Sequence, residues 1–304
     1  MLSPPVELCR SISRLHSRPQ ATQKFVSGLE NVKARNVTRI LKGRPDVRAN
    51  PLKAGVERGE LQIGTWVNMM RNPASLTMFK QAGLDFVRLD MEHSSPSIET
   101  VADFAVMGRA LDFPVMVRPP EASREWITLL LDVGIYNLHC PQVDTPEQAA
   151  EIVAASRYTP QGSRGMSGAS PGNDFDISGM PVMDRLKFTN DQVFITVMFE
   201  SAQAFEHLDE IASMDGIDAL TLGPQDLAQD LGVFGTPDQD RVLDEKRTQI
   251  VEAANKYGKT CAMLVNSAEQ ARKWRDAGVL LVVYSSEVNV LMDGYRSALA
   301  DIRV

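Results

Sequence analysis

Residues 85–95 read D-F-V-R-L-D-M-E-H-S-S, an apolar-rich run that alternates with a period of two and then breaks into Asp90, Glu92 and His93. A strand pattern that ends in charge, followed by the helix-start signal Ser-Ser-Pro-Ser at 94–97, marks a βα unit that carries polar side chains to its rim. In barrels built from repeated βα units, chemistry sits at the C-terminal ends of the strands. This rim is therefore expected to form one wall of an active site.

Outward from that unit the same alternation recurs. Strand-like segments fall at Gln62–Val67, Phe86–Asp90, Val115–Arg118, Asn137–Pro141, Val193–Phe199, Ala219–Leu222, Thr260–Val265 and Leu280–Tyr284. Helical patterns lie between and after them, at Pro73–Ala82, Ile98–Leu111, Arg124–Val133, Pro146–Arg157, Ala202–Met214, Pro237–Tyr257, Ala268–Ala277 and Val288–Ile302. Strands that each lead into a helix, repeated in this way, predict an α/β fold of the (β/α)8 TIM-barrel type. A doubly wound open sheet is the alternative, and the lack of a Gly-rich dinucleotide fingerprint in the first unit weighs against it. One long connection, Thr159–Asn190, reads as irregular and carries R-G-M-S-G-A-S-P-G-N-D. Loops of that length in compact domains serve as lids or interface arms.

The composition is that of a soluble globular chain, with 43% hydrophobic and 23% charged residues in 304. No apolar run approaches the roughly 20 residues that span a bilayer, and the N-terminus lacks the apolar core of a secretory signal. Cys9, Cys140 and Cys261 are odd in number and far apart, with no C-x-x-C. A reducing, cytoplasmic setting without disulfides is expected. Charge is unevenly spread: 12 Lys and Arg against 4 Asp and Glu up to Arg58, and 20 against 35 beyond it. The basic segment shows a helical stripe at Phe25, Leu29, Val32, Asn36 and Ile40, ended by Gly43–Pro45. That favours a helical extension over 1–50, packed on its own or a neighbouring acidic surface, over a nucleic-acid contact or a targeting arm. The catalytic unit is then 51–304.

Several strands place polar groups on one rim: Trp66 near the end of the first, Asp90, Glu92 and His93 at the second, Arg118 at the third, Gln142 after the fourth, Glu200 after the fifth and Asp226 past the sixth. Two carboxylates facing each other beside apolar strands repel unless a cation lies between them. Oxygen ligation by one or two carboxylates with water and substrate suits Mg²⁺ or Mn²⁺. Glu200 and Asp226 fit that description, and they fit equally well as caps of the helices that follow. Arg118, ahead of two prolines, can bind a carboxylate or a developing oxyanion, or can form an ion pair with a neighbouring strand. His93 can act as a base oriented by a carboxylate such as Asp132, or can simply decorate a helix N-terminus. His16, His139 and His207 read as part of the basic arm, a strand interior and an exposed helix.

Taken in order, G-T-W (64–66), L-D-M-E-H (89–93), V-R-P-P (117–120), L-L-D-V-G (130–134), R-Y-T-P-Q-G-S-R-G (157–165), F-E-S (199–201), G-I-D-A-L-T-L-G-P-Q-D-L (216–227) and Y-S-S-E (284–287) resemble the HpcH/HpaI family of class II pyruvate aldolases. That family includes 4-hydroxy-2-oxoheptanedioate aldolase and is related to macrophomate synthase. The resemblance runs from about Asn50 to the C-terminus. It implies a (β/α)8 barrel, homo-oligomeric as a hexamer or trimer of dimers, with the last helix exchanged between neighbours. It implies a divalent metal (Mg²⁺, Mn²⁺ or Co²⁺) on Glu200 and Asp226, and Arg118 on the keto oxygen. His93 with Asp132 would move the proton, Asp90 and Glu92 would support the site from behind, and Trp66 would wall the pocket. Gln225 and Asp226 in G-P-Q-D, with the Ser167, Gly168 and Ala169 loop, would hold the carboxylate of pyruvate, whose partner is an aldehyde.

The chemistry agrees with that implication. Retro-aldol cleavage of a 4-hydroxy-2-oxo acid leaves a pyruvate enolate, which needs an electron sink. A lysine Schiff base is one such sink, but no lysine ends any of the predicted strands. Met198 stands where many relatives have glutamine, Gly172 where they have an arginine associated with a distal carboxylate, and Ser285-Ser286-Glu287 where Gly-Ser-Asp is usual. The missing arginine argues against a dicarboxylic substrate. Alternative readings are oxaloacetate decarboxylation followed by addition, cleavage of malyl- or citryl-CoA-like thioesters, and a non-catalytic oligomeric scaffold.

Overall fold

A computed structural model describes residues 49–173, 175 and 180–303. The helix expected over 1–50 therefore lies, but for its last two positions, outside the described residues. The chain enters through α1 (Pro51–Glu57) and then alternates β1 (Gln62–Val67), α2 (Ser75–Gln81), β2 (Phe86–Asp90), α3 (Ile98–Leu111), β3 (Val115–Arg118), α4 (Arg124–Asp132), β4 (Asn137–Cys140) and α5 (Pro146–Ser156). After a long connection come α6 (Val182–Gln192), β5 (Phe194–Phe199), α7 (Ala202–Glu206), α8 (Leu208–Ser213), β6 (Ala219–Leu222) and α9 (Pro224–Asp230). The chain closes with α10 (Gln239–Tyr257), β7 (Thr260–Val265), α11 (Ala268–Asp276), β8 (Leu281–Ser286) and α12 (Glu287–Ile302). The strands follow one another in order, all parallel, and β8 pairs back onto β1, so the sheet is a closed (β/α)8 barrel.

Period-two alternation sorts each strand between two environments. Val87 and Leu89 on β2, Val115 and Val117 on β3 and Leu138 and Cys140 on β4 pack outward against the helices, in the main core. The alternate positions point inward: Phe86, Met116, Phe194, Ala219, Ala262, Leu281 and Val283 fill the lower barrel together with Trp66 and Leu52. Leu52 is brought there by α1, whose cap Asn50 accepts from Leu52 N–H at 3.2 Å and donates to Asn137 Oδ1 at 2.7 Å. Helix α1 thus closes the end of the barrel opposite the charged rim.

Most strands lie where their alternation puts them, and three differences have local causes. The last strand runs on to Ser286, which pairs with Trp66 across a register shift where Ser285 is left-handed (φ 48°), and Ser286 then caps α12. The helical pattern at 202–214 splits at His207, where φ −107° and ψ 12° interrupt it. The connection expected to be irregular contains α6, whose Leu186, Thr189 and Asn190 are buried. Only one apolar residue in that buried set is too little amphipathic signal for periodicity to detect. No helix among the described residues is long and apolar enough to cross a membrane.

Candidate active site

The C-terminal rim gathers its charge around Arg118. Strand register sets Asp90 directly beside Arg118, and a planar guanidinium meets a carboxylate best through two parallel bonds. Nε and Nη2 of Arg118 donate to Asp90 Oδ1 and Oδ2 at 2.8 and 2.9 Å. Nη1 lies 2.7 Å from Glu92 Oε2, and the Trp66 ring centroid lies 4.6 Å from the guanidinium carbon. Asp90 and Arg118 are buried, so this fork has little freedom and is oriented before any substrate arrives. Two of its five N–H groups donate to Asp90, and Glu92 adds an ion pair without a hydrogen bond, which leaves N–H groups on Nη1 and Nη2 for a ligand.

Glu200 occupies the next sector. Gln142 sits in a left-handed conformation, φ 54°, an unfavourable region for a residue with a Cβ. That turn aims the Gln142 N–H at Glu200 Oε1, 2.7 Å away, and lets its side chain donate to Glu92 Oε1 at 3.2 Å. The other oxygen, Glu200 Oε2, is buried without a hydrogen-bond partner. Gly223 makes room for it, since a Cβ there would lie 2.1 Å from Oε2. Burial, before the nearby charges of Glu92 and Asp226, pushes the Glu200 carboxyl up to about 7, against the pull of the Gln142 N–H. Glu92 is raised as well, by burial first, although Arg118 and His93 oppose the shift. Asp226 sits exposed in the first turn of α9, which Gly223 caps and Pro224 opens.

A buried carboxylate oxygen with no proton donor, in a cluster of like charges, is what an oxygen-preferring cation would relieve. Among the described residues no set of three or more His, Cys, Asp and Glu side chains forms a complete protein cage. Mg²⁺ does not need one, because it retains several waters and takes one or two carboxylates plus substrate oxygens. Glu200, through its unpartnered oxygen, is the group such an ion would relieve, and Asp226 is the neighbouring carboxylate whose charge acts on it.

The remaining expected residues divide. Trp66 is in the cluster. His93 is mostly exposed, with Nε2 3.7 Å from Glu92 Oε2. Asp132, at the end of α4, accepts from Arg164 Nη2 at 2.8 Å. The His93–Asp132 pairing expected from the resemblance is thus replaced, among the contacts of this chain, by His93–Glu92 and Asp132–Arg164. Ser167, Gly168 and Ala169 lie on an exposed loop, stapled by Asn173, which donates to Gly168 O at 2.8 Å and accepts from Ser170 N–H at 2.9 Å. Gln225 is exposed next to Asp226. At Gly172, a Cβ would lie 2.2 Å from Leu131 O. Here the loop packs so closely on α4 that no arginine fits without moving the backbone.

Two groups inside the barrel stand outside the expected site residues. Arg88 and His139 are both buried inside the barrel and both contact Trp66. Arg88 had a legible signal, as the middle member of the inward set Phe86, Arg88 and Asp90. For His139 the sequence indicates only a strand interior.

Residues 62–293 match the HpcH/HpaI aldolase/citrate lyase family. The chain is 34% identical over 255 residues to a 5-keto-4-deoxy-D-glucarate aldolase of Citrobacter koseri, covering 83% of this chain and 95% of that protein. Among solved structures, an HpcH/HpaI aldolase from Desulfitobacterium hafniense superposes with a TM-score of 0.78 at 26% identity, covering 84% of this chain and 97% of the other. Macrophomate synthase superposes with a TM-score of 0.72 at 25% identity, covering 83% and 88%.

Proposed function

This chain belongs to the HpcH/HpaI aldolase/citrate lyase family and is an aldolase, and on that premise we propose that it cleaves and forms 4-hydroxy-2-oxo acids through a pyruvate enolate, with Glu200 and Asp226 holding a divalent cation. The observation that carries this reading is the juxtaposition of Arg118, fixed by Asp90 and Glu92, with the unpartnered buried oxygen of Glu200. Together they provide a site for an anionic 2-oxo acid and an electron sink beside it. When bound, the cation would act as a Lewis acid toward the keto and carboxylate oxygens, an effect worth several kcal/mol to the transition state.

The chain's own groups account for the rest. In cleavage the C4 hydroxyl loses its proton, the C3–C4 bond breaks, and its electron pair passes into the enolate. Arg118 directs the N–H groups not held by Asp90 at the oxygen that gains charge; because Asp90 locks the guanidinium, no reorganisation is needed at that moment. His93 is exposed to solvent beside Glu92 and takes the hydroxyl proton through a water, returning it in the synthetic direction. Trp66, with 8% of its surface exposed, seals the floor and excludes water beneath the enolate. The Ser167–Ala169 loop and the start of α9 hold the carboxylate of pyruvate. Exposed Val290, Leu291, Met292, Tyr295, Leu299 and Ile302 on α12 support assembly into a homo-oligomer.

The aldehyde half is proposed to be uncharged, because position 172, packed against Leu131 O, carries no side chain to meet a distal carboxylate. The test combines pyruvate with a panel of neutral and carboxylate-bearing aldehydes under Mg²⁺, Mn²⁺ and Co²⁺, with chelator as control, and includes 5-keto-4-deoxy-D-glucarate for cleavage. Metal-dependent turnover with a preference for neutral aldehydes is expected. Turnover that chelator leaves untouched would remove the metal, and a clear preference for the dicarboxylic substrate would remove the argument from Gly172.

A further inference from the structure

Below the rim, the barrel holds a cation whose neighbouring carboxylate, Asp90, is already bonded to Arg118. Arg88 is the bulkiest of the fully buried side chains, with 1% of its surface exposed. Strand register puts it level with Trp66 on one side and Met116 on the other, one inward step beneath Asp90. Its guanidinium carbon lies 4.8 Å from the Trp66 ring centroid, and its Nε and Nη2 have no hydrogen-bond partner. The acidic groups nearby are already engaged: Asp90 takes two bonds from Arg118, and Glu92 lies against the same guanidinium.

The surroundings repeat the deficit. His139 is fully buried and meets Trp66 edge-on at 5.9 Å, with Nε2 3.2 Å from Met198 Sδ and Nδ1 unpartnered. Thr196, in register with His139 on the next strand, is buried with a free hydroxyl. Arg88 therefore offers two N–H groups in the fixed fork that matches oxyanions, within an inner layer that also holds unsatisfied imidazole and hydroxyl groups. A face-on aromatic ring offsets part of the cost of burying that charge but supplies neither a hydrogen bond nor a negative charge. Buried charges in folded proteins are paired.

We propose that the barrel interior at Arg88 is an anion site, distinct from the Arg118–Glu200 rim, that takes a carboxylate group or a small inorganic anion on Nε and Nη2 of Arg88, with His139 as the neighbouring polar group. The same chemistry has two sources, a free inorganic ion from solution or the carboxylate of a small organic acid bound apart from the one at the rim.

Crystals of the wild-type protein grown in sodium bromide decide the main claim. An anomalous peak within hydrogen-bond distance of Arg88 Nε or Nη2 is expected. Water alone at Arg88, a protein carboxylate turned onto it, or bromide confined to the surface as an adventitious ion only would overturn the proposal. Halide-free crystals grown with sodium pyruvate separate the sources. A carboxylate density on Arg88 assigns the site to the organic acid, and pyruvate confined to the rim, with bromide seen at Arg88 in the first crystals, assigns it to the free ion. In solution, bromide at fixed ionic strength should raise the melting temperature of wild type, and Arg88→Met should lose that rise. An equal rise in both proteins overturns the assignment. Should Arg88→Met fail to fold, the bromide crystals still decide.

Discussion

Glu200→Gln offers the sharpest test of the rim electrostatics, because the substitution keeps shape and removes the charge. In the folded, metal-free protein the Glu200 carboxyl rises from its ordinary 4.5 to about 7, burial being the first cause. A folded value above the unfolded one means that the protonated form is favoured by folding. That stabilisation is fully present below about pH 4.5 and is lost as pH rises through about 7. At ~1.36 kcal/mol for each tenfold change in proton affinity, the loss is about 3 kcal/mol. Glutamine never ionises, so the variant does not lose it. Urea unfolding in the presence of chelator, from pH 5 to 8, should show the variant gaining on wild type by most of that amount. Saturating Mg²⁺ or Mn²⁺ should reverse the order at pH 8, since binding to the native state alone stabilises wild type by mass action. A stability difference that stays flat from pH 5 to 8, or wild type the more stable at pH 8 in chelator, would refute the reasoning.

Three other outcomes follow from the same geometry. Arg118→Lys keeps the charge but loses the fork held by Asp90, so cleavage should fall by about 10²–10³-fold, the usual effect of losing a transition-state donor, while metal affinity measured by calorimetry changes little; an unchanged rate would move the enolate-stabilising role elsewhere. His93→Ala should slow aldol cleavage far more than oxaloacetate decarboxylation, which makes an enolate without deprotonating a hydroxyl; equal losses would remove His93 as the base. Gly223→Ala places a Cβ against the Glu200 oxygen and should weaken Mn²⁺ binding, read by electron paramagnetic resonance, with circular dichroism unchanged; wild-type affinity would show that this oxygen is not a ligand.

The local grammar of the chain was legible because it is local. Period-two apolarity ending in charge identified β2, and the same alternation marked the other strands and so the barrel. Capping residues such as Thr145, whose side chain and that of Gln148 close a reciprocal box at the start of α5, mark helix starts within four residues of sequence. Glu92, Arg118 and Glu200 could be named as rim residues because each stands at or just beyond the end of an apolar strand.

What the linear sequence determined by itself was the alternation of elements, and therefore which end of the barrel carries the charge. What only the tertiary structure decided was who faces whom. Asp90 meets Arg118 across 28 positions and Gln142 meets Glu200 across 58, through strand register that no single segment encodes. Asp132 finds Arg164, and Arg88 is left inside against the Trp66 ring with Nε and Nη2 unbonded. Pairing between charges depends on distances set by closure of the whole sheet, whereas the tendency to form a strand depends on a few adjacent side chains.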